Sequence, residues 1–206
     1  MTFHLAQINI GRLVAPIDDP RIADFVSQLE PINALADAAP GFVWRLQSAA
    51  GNATDIVYND NPFVIVNMSV WESVETLRDF VYNSRHLGVF RDRARWFEKM
   101  DKPHYCLWWL PAGHVPSVAE GPDRLEHYQQ NGPTPFSFWF SKLFPMPTEQ
   151  SVSLYPSAWF REDSEVRNLP FGHLVEEGFL ARNDKPGFFL PSGVRATLSA
   201  AYSLLP

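Results

Sequence analysis

At 206 residues with 46% hydrophobic side chains, the chain has the length for one domain plus an extension and the composition for a packed core. A formal net charge of −6 and the lack of a Lys/Arg-rich run argue against nucleic-acid binding. The single cysteine, Cys106, excludes an intrachain disulfide and a cysteine-cluster metal site, and no apolar run approaches the roughly 20 residues of a membrane-spanning helix.

The N-terminal run FHLAQINIGRLVA alternates, with Leu5, Gln7 and Asn9 on one face and Ala6, Ile8 and Ile10 on the other. It reads as a strand and not as a secretion signal, since it has no basic leader and no small-residue cleavage site. The next segment, DDPRIADFVSQLEPINALADAAPG, has Asp18 or Asp19 to cap a helix and Pro20 in its first turn. Ile22, Phe25, Val26, Leu29, Ile32, Leu35 and Ala36 recur at helical spacing, with a kink expected at Pro31. Residues 42–48 form a second strand and the run PFVIVNMSVWES a third, more apolar and so central in a sheet. Ser73 caps a second helix, with Thr76 in the place of the usual Glu or Gln of a capping box. Leu77, Phe80, Val81 and Ser84 make its inner stripe; the helix bends near Asn83 and Ser84 and resumes through Arg95, Trp96 and Phe97. Residues 103–113 are a fourth strand, 117–132 a helix interrupted by Gly121-Pro122, and 135–144 a last strand.

The leading β-α-β-β-α-β order predicts an α+β fold, a ferredoxin-like antiparallel sheet with helices on one face. An apolar second face of such a sheet must be covered by a partner. The domain is expected to span 1–145. Residues 146–206, rich in Pro, Gly and Ser without clear periodicity, form a C-terminal extension to which no chemistry is attached.

The runs HLAQINIGRL, DFVSQLEPINALADAAPGFVWRLQ, IVNMSVWESVETLRDFVY and LWWLPAGHVPSVAEGPDRLEHY, followed by GPTPFSF, resemble the DUF3291 family, over roughly residues 3 to 145. That is an uncharacterised group within the dimeric α+β barrel superfamily. The resemblance implies that two ferredoxin-like sheets pair into a dimeric α+β barrel as a homodimer, with a pocket between sheet and helices of each protomer. Superfamily members include cofactor-independent monooxygenases, polyketide cyclases and haem-dependent enzymes, so fold alone does not choose a chemistry. Plant-type polyketide cyclases carry a Tyr and a His six residues apart on the second helix. Phe80 and His86 fall at those positions, so the histidine matches and the tyrosine does not. Haem-degrading relatives use a first-strand Asn with a helix Trp and His; Asn9 matches the first, while Phe80 and Phe90 stand where the others belong.

His86 is the first candidate acid–base group, because an imidazole exchanges protons near neutral pH. Tyr82, four residues earlier, shares its face on an unbroken helix. Asn67 and Ser69 alternate in an otherwise buried strand; Asn67, like Asn9, is either a satisfied core amide or a pocket donor to a ligand oxygen. Phe80, Phe90, Arg93 and Trp108 complete the expected substrate-binding set. No metal-ligand spacing, phosphate loop or nucleophile elbow is present. Seven Trp and 16 Phe suit either dense packing or ring-lined walls for a flat ligand. The expected activity is a cofactor-independent monooxygenase or cyclase acting on an aromatic or polyketide-like molecule in the cytoplasm, with no nucleic-acid or membrane partner. The alternatives are a non-catalytic dimer that binds an apolar ligand or partner, and a haem-binding protein with His86 as axial ligand.

Overall fold

The computed structural model describes residues 2–48, 53, 56–83 and 92–148. Four strands, β1 (Phe3–Arg12), β2 (Phe42–Arg45), β3 (Val64–Trp71) and β4 (Tyr105–Pro111), form one sheet in the order β2-β3-β1-β4. Every neighbouring pair is antiparallel, and the β-α-β-β-α-β order gives the ferredoxin-like arrangement read from the sequence.

Helix α1 (Ala23–Asp37) follows β1. Its buried stripe is Phe25, Leu29, Ile32, Asn33 and Ala36, the 3.6-residue period of a helix laid on a core. It starts later than the acidic pair suggests, because Asp19 is used in a turn, accepting from the Arg21 backbone N–H at 2.9 Å and from its guanidinium. Pro31 lies inside α1, on its exposed side, and the helix runs on to Asp37. Helix α2 (Val74–Asn83) begins with the expected reciprocal cap: Thr76 N–H donates to Ser73 Oγ (3.1 Å) and Ser73 N–H to Thr76 Oγ1 (3.2 Å). Gly41, at φ 75°, lets the start of β2 touch that cap, since a Cβ there would strike the Thr76 side chain.

Helices α1 and α2 share one face of the sheet with Phe3, Leu5, Trp71, Leu107 and Trp109. The opposite face carries Ala6, Ile8, Val66, Met68, Val70, Cys106 and Trp108, and α3 (Glu120–Asn131) covers it with Leu125. Leu46 and Ala53 join that second core, flanked by Ile56 and Tyr58. The second face is therefore buried by this chain's own residues, and a partner is not needed to keep it from water. The Gly121-Pro122 interruption has a packing reason: a side chain at Gly121 would run into Met68 and Ile8, so glycine lets α3 approach the sheet closely.

The last predicted strand is not one. Residues 134–142 form two tight turns, closed by Thr134 N–H to Ser137 O and Lys142 N–H to Trp139 O, both 2.9 Å. Only Phe138 pairs with β4 through its backbone, by a bridge to Leu107. Of the helix expected to resume through Arg95, Trp96 and Phe97, residues 84–91 lie outside the described residues, Asp92 is helical and Arg93–Arg95 form a 3-10 turn.

Candidate functional site

The site builds up from strand alternation. Odd-numbered residues of β1 and β3 point toward α1 and α2, so Gln7, Asn9, Asn67 and Ser69 lie in the helix-covered layer, all buried. The β1–β3 register pairs Asn9 with Asn67 and Gln7 with Ser69. Gln7 Nε2 donates to Asn67 Oδ1 (3.1 Å) and Ser69 Oγ (2.9 Å), Asn9 Nδ2 donates to Gln7 Oε1 (3.1 Å), and Trp71 Nε1 donates to Ser69 Oγ (2.9 Å).

This relay leaves loose ends. Asn9 Oδ1 and Asn67 Nδ2 are buried with no hydrogen-bond partner among the described residues. Asn33 adds two more: it is 2% exposed, and neither amide atom of its side chain is paired among the described residues. Asn33 lies on the buried stripe of α1 between two fixed levels. Phe25 meets Phe97, which bridges to Leu13 at one end of the sheet, and Asp37 holds Arg45, the β2 partner of Ser69, at the other. A buried polar group left unpaired costs about 1–3 kcal/mol, so these atoms mark a place where a ligand or an ordered water would be held.

Rings border the layer. On the side of Asn9 away from Asn67, β4 places Tyr105, whose ring centroid is 4.0 Å from that of Trp139. Trp139 meets Phe140 at 4.9 Å, and Phe140 meets Tyr82 at 6.4 Å. Burial raises the Tyr105 pKa, with Tyr128 adding to the rise and the Arg93 charge opposing it, so at neutral pH it is a phenol. His104, edge-on to Tyr105, is pushed below its ordinary value by burial and by Arg93, against a hydrogen bond to the Lys102 backbone, and is neutral at pH 7.

The predicted residues divide accordingly. Asn9 and Asn67 are brought together. Phe80 packs on Trp71 at 5.0 Å, at the Ser69 end of the same face. Tyr82 is 42% exposed beside Phe140, and Arg93 is exposed but close enough for its charge to act on His104 and Tyr105. His86 and Phe90 lie outside the described residues. Trp108 does not join the set: alternation along β4 turns it to the opposite face, where it is fully buried and donates Nε1 to Glu120 Oε1 (2.8 Å). Its neighbour Trp109 takes the helix-covered face and donates to Phe144 O (2.9 Å). Sequence reasoning missed Asn33 and Tyr105 as site residues. A polar residue on the apolar stripe of α1 marked the first; only the β1–β4 register shows the second.

The opposite face holds a polar cluster of another kind. Glu120 accepts from Trp108, meets His114 Nε2 at 2.8 Å, and accepts from Arg124 at 3.4 Å; Arg124 also donates to Phe136 O at 2.9 Å. These groups hold one another and tie α3 to β4, so the cluster is a brace. Among the described residues no three His, Cys, Asp or Glu side chains gather to hold a metal, and no helix is long and apolar enough to cross a membrane.

The family model described as "Domain of unknown function (DUF3291)" matches residues 4–154. The chain belongs to the DUF3291 family. The matched region contains all of the sheet but Phe3, the three helices described above and the amide layer, so the site is built inside the DUF3291 domain. Among solved structures the chain is similar to the NE2512 protein of unknown function from Nitrosomonas europaea, with 14% identity and a TM-score of 0.38, over 56% of this chain and 97% of that one. No curated protein matches the chain.

Proposed function

We propose that this DUF3291 chain takes up a small aromatic or polyketide-like molecule between its sheet and helices α1 and α2, and acts on it as a cofactor-independent monooxygenase or cyclase. The observation that carries the reading is the set of unpaired amide atoms of Asn9, Asn33 and Asn67, buried in a layer bordered by rings. Such groups supply fixed donors and acceptors to a ligand's oxygens where water is excluded. His86 is the acid–base group of this reading, Tyr82 its assisting hydroxyl, and Arg93 the charge that favours an ionised oxygen at the rim. The chain works in the cytoplasm, and any homodimer pairs through a surface other than the sheet's second face, which α3 covers.

A binding protein without turnover is the second reading, and Phe80 favours it. It is 6% exposed against Trp71 and offers no hydroxyl where the cyclase resemblance expects one. Neutral amides also suit a neutral ligand better than the charged propionates of haem.

The test uses 2-acetyl-1-naphthol, a fused-ring hydroxy-ketone, with wild type and His86→Ala. Tryptophan fluorescence reads binding and chromatography reads product. Product from wild type, lost in His86→Ala with binding kept, supports the enzyme. Binding without product from either supports the binding protein. No binding by wild type overturns both.

A further inference from the structure

The relay through the amide layer has a direction, and that direction constrains what its free ends can hold. Gln7 donates both Nε2 hydrogens, to Asn67 Oδ1 and Ser69 Oγ, and its Oε1 accepts from Asn9 Nδ2. The relay therefore ends in an amide NH2 on Asn67 and a carbonyl oxygen on Asn9, each buried and without a partner among the described residues. The two are register partners across β1 and β3, which sets their Cβ atoms roughly 5 Å apart. Turning over all three carboxamides exchanges donor and acceptor at both ends at once. One free end donates and the other accepts whichever way the relay runs.

The relay's own side chains are uncharged. Gln7, Asn9, Asn33, Asn67 and Ser69 are neutral. Arg45, opposite Ser69 on β2, has its charge matched by a two-point pair with Asp37, at 2.7 and 3.2 Å, while its Nη1 is buried without a partner among the described residues. Among the described residues, an anion set between Asn9 and Asn67 would give up its water for neutral amides, with the Arg45 charge already matched by Asp37 and Arg93 outside at the rim. A ligand offering two acceptors would leave the Asn9 carbonyl facing lone pairs.

We infer that the ligand of this layer presents a neutral edge with one donor beside one acceptor, as a lactam, a carboxamide or an enolised hydroxy-ketone does. The inference rests on the reading that a small molecule binds between the sheet and α1–α2. It adds which chemical edge that molecule turns toward Asn9 and Asn67. A wrong edge leaves at least one buried group unpaired, which amounts to about 10-fold or more in affinity.

Three fused-ring probes of similar size separate the possibilities, titrated by tryptophan fluorescence against the full chain: 2-quinolone (donor beside acceptor), quinoline (acceptor alone) and 2-naphthoate (anion). The expected result is that 2-quinolone binds about 10-fold or more tighter than either of the others. Asn9→Leu and Asn67→Leu, each of matching shape and checked for native circular dichroism, should bring the three probes to within about 3-fold of one another. Equal affinities in wild type, or tightest binding of 2-naphthoate, would overturn the edge while leaving a small-molecule site in place. If no probe binds and crystals soaked in 2-quinolone place only an ordered water on Asn9 and Asn67, the edge and the site both fall.

Discussion

Gly121 lays its bare α-carbon against the Met68 side chain, and this contact seats α3 on the sheet. Met68 and Ile8, the two side chains a Cβ would meet, are fully buried and have little room to move. Gly121→Ala should therefore destabilise the fold by about 1–3 kcal/mol, despite alanine's better helix propensity. Denaturant melts of Gly121→Ala, Met68→Ala and the double variant check this. The double variant should lose less than the two single losses combined, because the shortened Met68 makes room for the new methyl.

Asn33 tests the site from the other direction. Both its amide atoms are buried and unpaired, so Asn33→Leu removes a cost without breaking a hydrogen bond among the described residues. The variant should be more stable than wild type by about 1–3 kcal/mol, and should bind 2-quinolone more weakly. A lowered thermal midpoint would mean that Asn33 has a structural partner in the working protein.

Acid should loosen the brace on the opposite face. Burial alone would raise the Glu120 pKa, but the His114 hydrogen bond, the Arg124 charge and the Trp108 donor outweigh it and hold the carboxyl below 4.5. A carboxyl with a lower pKa folded than unfolded stabilises the fold fully above the unfolded value, and that contribution fades as pH falls toward the folded one. The thermal midpoint should drop as pH falls below about 4.5, with a shallower slope in Glu120→Gln. At neutral pH that variant deprives Arg124, 4% exposed, of its carboxylate and should lose about 3–5 kcal/mol.

Cys106 reports on the same core. It is fully buried between the sheet and α3, and burial pushes its thiol far above the ordinary range. The folded chain should not react with Ellman's reagent at pH 8, and one thiol should appear in step with unfolding as denaturant is raised. A thiol that reacts before the circular dichroism signal falls would show α3 lifting from the sheet as a separate unit.

Alternation made β1, β3 and β4 readable, and the Ser73–Thr76 cap marked the start of α2. Residues 135–144 misled because Phe136, Phe138 and Phe140 also alternate, yet two tight turns interrupt them and only Phe138 pairs with β4 through its backbone. Which face α3 would take was not legible, since it depends on Gly121 meeting Met68, 53 positions apart in the chain. The site was half legible. Asn9 and Asn67 each stood out as polar residues in apolar strands, but their meeting is a matter of register, as is the place of Tyr105 beside Asn9, and Asn33 comes from the helix that covers the same face.

The pairing of Asn9 with Asn67 and of Gln7 with Ser69 also bears on how the sheet assembles. Shifting β1 by one residue against β3 would turn Gln7 and Asn9 under α3 and send Ile8 among the amides. Shifting it by two would keep the faces but set an amide opposite Trp71 or Ile65, and no longer opposite a polar partner. Apolar side chains at these positions would tolerate that second error far better, because one greasy neighbour replaces another at little cost. The amides thus act as an alignment key for the two central strands: a misthreaded chain finds no comparable set of partners, and only the native pairing closes the relay.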